Sequence, residues 1–111
     1  MVDDVTTQLR RGVVEYCVLG LLAEVPQYGW ELSSALMSRG LIASIGTLYP
    51  LLSRLRDQGL ISAFEQASPS GGPTRKYYRL TSEGVDRLAL FRLQWQPFVE
   101  SVNDFIEGGT R

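Results

Sequence analysis

The sequence predicts a mainly α fold carrying one β-hairpin. Three observations predict it. Hydrophobic positions recur at helical spacing in successive segments up to residue 58, two β-rich runs then flank the turn-forming stretch SPSGGPT, and helical spacing returns after Thr81 and holds almost to the end. With 111 residues, 44% hydrophobic and 21% charged, the chain has the composition of a globular domain with a single core. No internal repeat, low-complexity tract or linker divides it.

The first helix is expected from Val5 to Glu24. Val5, Leu9, Val13, Cys17 and Leu21 stand four apart, and Val14, Val18 and Leu22 flank them, so the apolar stripe widens until its C-terminal half is buried nearly all round. Pro26 ends it. Cys17, the only cysteine, reads as a small buried hydrophobe or as a reactive thiol, and the burial habit of free cysteine favours the first. A second, short helix is expected from Gln27 to Arg39, with Leu32, Ala35 and Leu36 as a narrow apolar face and Gly40 just past its end. Ser44 is the N-cap expected for a third helix, Ile45 to about Gln58, closed by Gly59. Leu60–Gln66 and Arg75–Thr81 are the strands of the hairpin. Thr81 then caps a last helix running to about Glu107, with Glu83 near its positive dipole end.

Within the last helix, Leu88, Phe91, Trp95, Phe98, Val102 and Phe105 are spaced three, four, three, four and three residues apart, an a/d seam held for more than two heptads. A helix of ~25 residues is about 37 Å long, and the preceding elements are too small to cover it. The expected partner is a second copy, making a homodimer. Pro97 should bend the helix. The chain therefore divides into residues 1–81, a body of helices and hairpin, and 82–111, a dimerisation helix packed with it as one unit.

Composition excludes several function classes. Without histidine, the Ser-His-Asp and Cys-His nucleophile systems and His-ligated zinc are ruled out, and GGPTR lacks the strand-and-helix frame of a phosphate-binding loop. No enzyme, no cofactor and no metal site is expected. No apolar run approaches the ~20 residues of a membrane span, and Asp3 and Asp4 stand where a secretory signal would be positive. The expectation is a cytoplasmic protein with no membrane partner. The net charge of −1 splits unevenly: residues 1–43 carry −2, residues 44–80 carry +3 and residues 81–111 carry −2. A basic middle between acidic flanks suits one surface that meets phosphate while the rest stays soluble.

Helix, helix, helix, hairpin is the order of a winged helix-turn-helix, whose third helix enters the major groove. Leu48, Leu51, Leu52 and Leu55 share one face of that helix, while Gly46, Pro50 and Ser53 fall opposite, beside Tyr49 and Arg54. The small residues allow close approach, the hydroxyls of Thr47, Tyr49 and Ser53 can bond phosphates or base edges, and Arg54 and Arg56 can meet phosphate or guanine. The same geometry serves helices that contact proteins. In the hairpin, Arg75, Lys76 and Arg79 lie near a Gly-rich tip, as in a wing that straddles phosphates or, equally, a charged edge that discourages aggregation.

The strings LRRGVVEYCVLGLL, YGWEL, GTLYPLLSRLRDQGLI and GPTRKYYRLTSEG, covering about Leu9 to Gly84, resemble in order and spacing the signature segments of the PadR family of bacterial transcriptional regulators. The resemblance implies a winged-helix dimer that represses transcription and dimerises through its C-terminal helical region. By position it places Ser44, Thr47, Tyr49 and Ser53 on the DNA-facing part of the recognition helix, with Arg75 and Lys76 in the wing. Tyr28 would support that helix or reach the DNA backbone. A single C-terminal helix is similar to the small subfamily, some of whose members hold flat drugs at the dimer interface beside a tryptophan. Trp95 matches that position, with Phe91, Phe98 and Val102 on the same seam, which serves equally as plain dimer core. Trp30 replaces the second aromatic of the usual YGYE, and Ser44-Ile45 replaces a frequent Ser-Pro. The expectation is a repressor that binds a palindromic double-stranded DNA operator and is released by a planar aromatic effector. The competing readings are a protein-interaction module and a drug-sequestering protein without DNA function.

Overall fold

The computed structural model describes residues 2–108, without the side chains of residues 2–4 and 6; the last three residues of the expected dimerisation segment lie outside it. The order is α1 (Val2–Arg10), α2 (Val14–Glu24), β1 (Gln27–Tyr28), α3 (Gly29–Ser38), α4 (Ile45–Asp57), β2 (Ile61–Gln66), β3 (Arg75–Leu80) and α5 (Ser82–Glu107). This is the mainly α winged fold with a long C-terminal helix that the sequence predicts, with two local differences.

The first helix is two helices. Gly12 sits at φ 81°, in the left-handed region that glycine enters without steric cost, and the chain turns there, with Arg11 N–H donating to the Gln8 carbonyl at 3.2 Å and Val13 N–H to the Arg10 carbonyl at 3.1 Å. The stripe does not cross the turn. Val14, Val18, Leu19 and Leu22 of α2 are buried, whereas Val5 and Leu9 of α1 are exposed.

The second difference is a third strand. Gln27 and Tyr28, expected in the second helix, are extended and pair with Tyr78 and Tyr77 of β3, so the sheet is antiparallel in the order β1-β3-β2 and the helix begins at Gly29. Two residues are too few to show a strand period, and the free edge of β3 decides their conformation. On the other side of β3 the register runs from Ile61↔Leu80 to Gln66↔Arg75. Ser44 occupies the N-cap of α4 in extended conformation, but its side chain makes no capping bond; its carbonyl accepts from Thr47 N–H at 3.1 Å.

The core lies between α2, α3, α4 and the sheet, and its fully buried members are Val18, Leu19, Leu32, Leu36, Leu48, Leu52 and Leu55. Cys17 packs half-buried against it, and burial pushes the thiol pKa up, so the side chain acts as a hydrophobe. The N-terminus of α5 is locked to the sheet. Thr81 Oγ1 accepts from Gly84 N–H at 3.0 Å and donates to the Gly59 carbonyl at 2.6 Å, and Thr81 N–H reaches the Leu60 carbonyl at 3.1 Å. Gly84 is held so close that a Cβ there would stand 2.0 Å from the Leu60 carbonyl oxygen. From this anchor α5 inserts Leu88 into the core and continues unbroken through Pro97, leaving Leu93, Phe98, Phe105 and Ile106 exposed. Among the described residues, no helix is long and apolar enough to cross a membrane.

Candidate nucleic-acid interface

Helix α4 buries Leu48, Leu51, Leu52 and Leu55 and thereby turns Gly46, Thr47, Tyr49, Pro50, Ser53 and Arg54 outward, all of them exposed. Two of the outward residues are small, and Pro50 has no N–H to give the Gly46 carbonyl, which keeps that stretch of backbone polar and accessible. The helix thus offers hydroxyls and backbone along one rim without bulky aliphatic cover.

On one flank of α4 the sheet brings further groups alongside. Tyr49 lies against Gly29, the first residue of α3; a Cβ at that position would meet the Tyr49 hydroxyl oxygen at 3.0 Å. Tyr28 precedes it at the N-cap, where its N–H donates to the Glu31 carboxylate at 3.1 Å. The Tyr28 ring supports the wing: the Arg75 guanidinium sits 4.4 Å from its centroid, and the Tyr77 ring is 5.5 Å away. A guanidinium over an aromatic face is oriented without losing its charge. Tyr28, Trp30, Tyr49, Arg75 and Lys76 share a cleft of about 390 Å³. The pairing of β1 with β3 brings them together. Arg79 is turned elsewhere, over Phe64 at 4.8 Å, and the hairpin is pinned by Thr74 Oγ1 donating to Glu65 at 2.9 Å.

On the other flank, Thr47 and Arg54 line a cleft at the corner of α1 and α2. Arg54 is not a free cation, since its Nε–H donates to the Glu15 carboxylate of α2 at 2.8 Å. Ser44 lies apart from both, in a shallow depression with Trp30, Met37 and Ile45. Ser53 is exposed on the outward rim. Sequence reasoning missed Arg10 and Arg11, which also line the α1–α2 cleft. Their signal was the Arg-Arg pair before Gly12, hidden while that segment read as mid-helix.

The aromatic seam is organised differently. Tyr16 of α2 stacks on Phe91 at 4.0 Å with the rings 10° from parallel, Phe91 on Trp95 at 5.3 Å, and Trp95 meets Phe98 at 6.3 Å, forming a ladder along α5. Its inner rungs border a groove of about 280 Å³ lined also by Cys17, Gly20 and Arg92. Phe91 is half-covered by the chain itself, Trp95 stands at the groove's mouth, and Phe98 and Val102 lie beyond it on the exposed helix.

Residues 18–90 match the model of the transcriptional regulator PadR-like family. Two crystal structures are close relatives in fold and sequence. A PadR-like transcriptional regulator from Bacillus cereus is 37% identical, with 92% of this chain and 99% of that one covered and a TM-score of 0.81. A PadR family transcriptional regulator from Eggerthella lenta is 36% identical, with 97% and 94% covered and a TM-score of 0.82. The negative transcriptional regulator PadR of Bacillus subtilis is 30% identical over 95 residues, which are 83% of this chain but 52% of that longer protein.

Proposed function

The chain belongs to the PadR-like family of transcriptional regulators, and on that premise we propose that it is a homodimeric repressor whose α4 reads a palindromic operator in double-stranded DNA. Its family consists of DNA-binding regulators rather than enzymes. The observation that carries the reading is the meeting of Tyr49 of α4 with Arg75 and Lys76 of the wing around one cleft on the outward face. With α4 in the major groove, Thr47, Tyr49 and Ser53 supply hydroxyls to base edges and phosphates, and Arg75 and Lys76 hold the flanking backbone.

The exposed seam of α5 supports self-association, because Phe98 and Val102 continue a heptad pattern that the body leaves uncovered. Repression is the role named for the Bacillus subtilis relative. The Tyr16–Phe91–Trp95–Phe98 ladder, open at Trp95, suits a planar aromatic effector, which would release DNA by favouring a dimer geometry that misplaces the two recognition helices. Residues 1–81 then act as the reading head and 82–111 as the dimerisation and effector arm.

Fluorescence anisotropy of labelled DNA from immediately upstream of the gene, against random DNA at two salt concentrations, tests the reading. Selective binding that weakens with salt is expected, and Thr47→Ala with Tyr49→Phe should lower the specific affinity about tenfold or more while the protein stays folded. Unchanged affinity in that variant overturns the assignment of α4. No binding at either salt would leave a protein-interaction module as the better reading.

A further inference from the structure

We propose that α4 is bracketed by two phosphate-binding clefts rather than one, and that the second, at the corner of α1 and α2, takes a backbone phosphate of the operator through Arg10 and Arg11. This rests on the reading that α4 enters the major groove. An α-helix with its side chains, about 10–12 Å across, fills a groove about 12 Å wide, so the side chains on its two flanks face the phosphates of opposite strands. Tyr49 marks the wing flank, while Thr47 marks the α1–α2 flank.

The second cleft, about 430 Å³, carries three arginines, Arg10, Arg11 and Arg54, against one carboxylate, Glu15, with the hydroxyls of Thr7 and Thr47 at its edge. The single carboxylate is already taken by Arg54. Arg10 and Arg11 therefore have no opposite charge facing them in the cleft among the described residues. Arg10 is held in place, since its Nη2 donates to the Gly40 carbonyl at 2.7 Å, yet its Nε–H is buried without a partner. An unpaired buried donor carries a desolvation cost, and a phosphate oxygen seated in the cleft would supply the acceptor that this guanidinium lacks. The left-handed turn at Gly12 is what places this Arg-Arg pair beside the recognition helix instead of on a continuous helix.

The measurement is the salt dependence of operator affinity for the full chain. Arg11 is exposed, so Arg11→Gln should fold normally, reduce the slope of log K against log[salt] by about 1.8, roughly 0.9 for each of the two protomers on the operator, and weaken binding about tenfold or more near physiological salt. Arg11→Lys keeps the charge and should keep the slope. Arg10→Gln, checked by thermal unfolding, should behave like Arg11→Gln. Arg75→Gln in the wing provides the reference loss. If the wing variant loses slope and Arg11→Gln matches the wild type, the second cleft is wrong while the DNA reading stands. If the wild type itself shows no salt-dependent DNA binding, the DNA reading fails first. Calorimetric titration with inorganic phosphate separates the remaining source: submillimolar binding that Arg11→Gln abolishes, with DNA affinity unchanged, would make this a site for free anions and overturn its assignment to DNA.

Discussion

Leu48, Leu52 and Leu55 of α4 and Trp95, Phe98 and Val102 of α5 are apolar residues at helical spacing, yet the first three are 0–1% exposed and the others 36%, 61% and 40%. The two helices differ in what stands opposite them. Helix α4 is enclosed by α2, α3 and the sheet, so its pattern is completed inside one chain. Helix α5 is held along its first half by Leu88 and by Tyr16 against Phe91, and farther along the stripe Phe98 and Val102 stay exposed. A periodic apolar stripe states that a face is to be covered. The tertiary structure alone states whether the same chain does it.

The largest test of this contrast is at the joint. A methyl group at Gly84 would collide with the Leu60 carbonyl, a backbone atom that cannot step aside, so Gly84→Ala should cost about 3 kcal/mol. Urea unfolding at fixed protein concentration reads that loss, and wild-type stability would mean that the docking of α5 onto the body does not depend on this close approach. Next, Phe98→Glu with Val102→Glu should leave the body folded, with unchanged far-ultraviolet circular dichroism, while weakening self-association by about 100-fold or more, since each large apolar side chain buried is worth about 1.5–3 kcal/mol. Sedimentation that still finds a dimer would mean that some surface other than the exposed half of α5 holds the copies together. The smallest effect is confined to one side chain. Trp95→Ala should abolish the quenching of intrinsic fluorescence by a planar aromatic dye, with Trp30→Phe retaining it; quenching that survives in Trp95→Ala moves the ligand away from the seam.

The hairpin and α4 were legible because each has a local signature: the turn stretch between two β-rich runs, and the four leucines that leave Gly46, Pro50 and Ser53 opposite. Arg54 was visible as a cation, but its bond to Glu15 joins residues 39 positions apart and leaves no local pattern. The Tyr28 platform under Arg75 depends in the same way on pairing across the sheet. The break at Gly12 was present as a residue but was overridden by the four-residue spacing on either side of it, which runs across the turn without being shared by one helix.

By itself the sequence determined a mainly helical chain with one hairpin and a long last helix, the buried face of α4, the cap at Thr81 and the aromatic stripe of α5, but neither the split at Gly12 nor the strand Gln27–Tyr28, because the features it determined depend on side-chain spacing and on backbone preferences within a few residues. Only the tertiary structure decided that Arg10 and Arg11 stand in a cleft beside α4, that Arg54 is already paired, that a third strand joins the sheet, and that Phe98 and Val102 of α5 stay exposed. Those outcomes depend on contacts between residues far apart in sequence, whose energies are set by what the folded chain brings into reach and not by any local period.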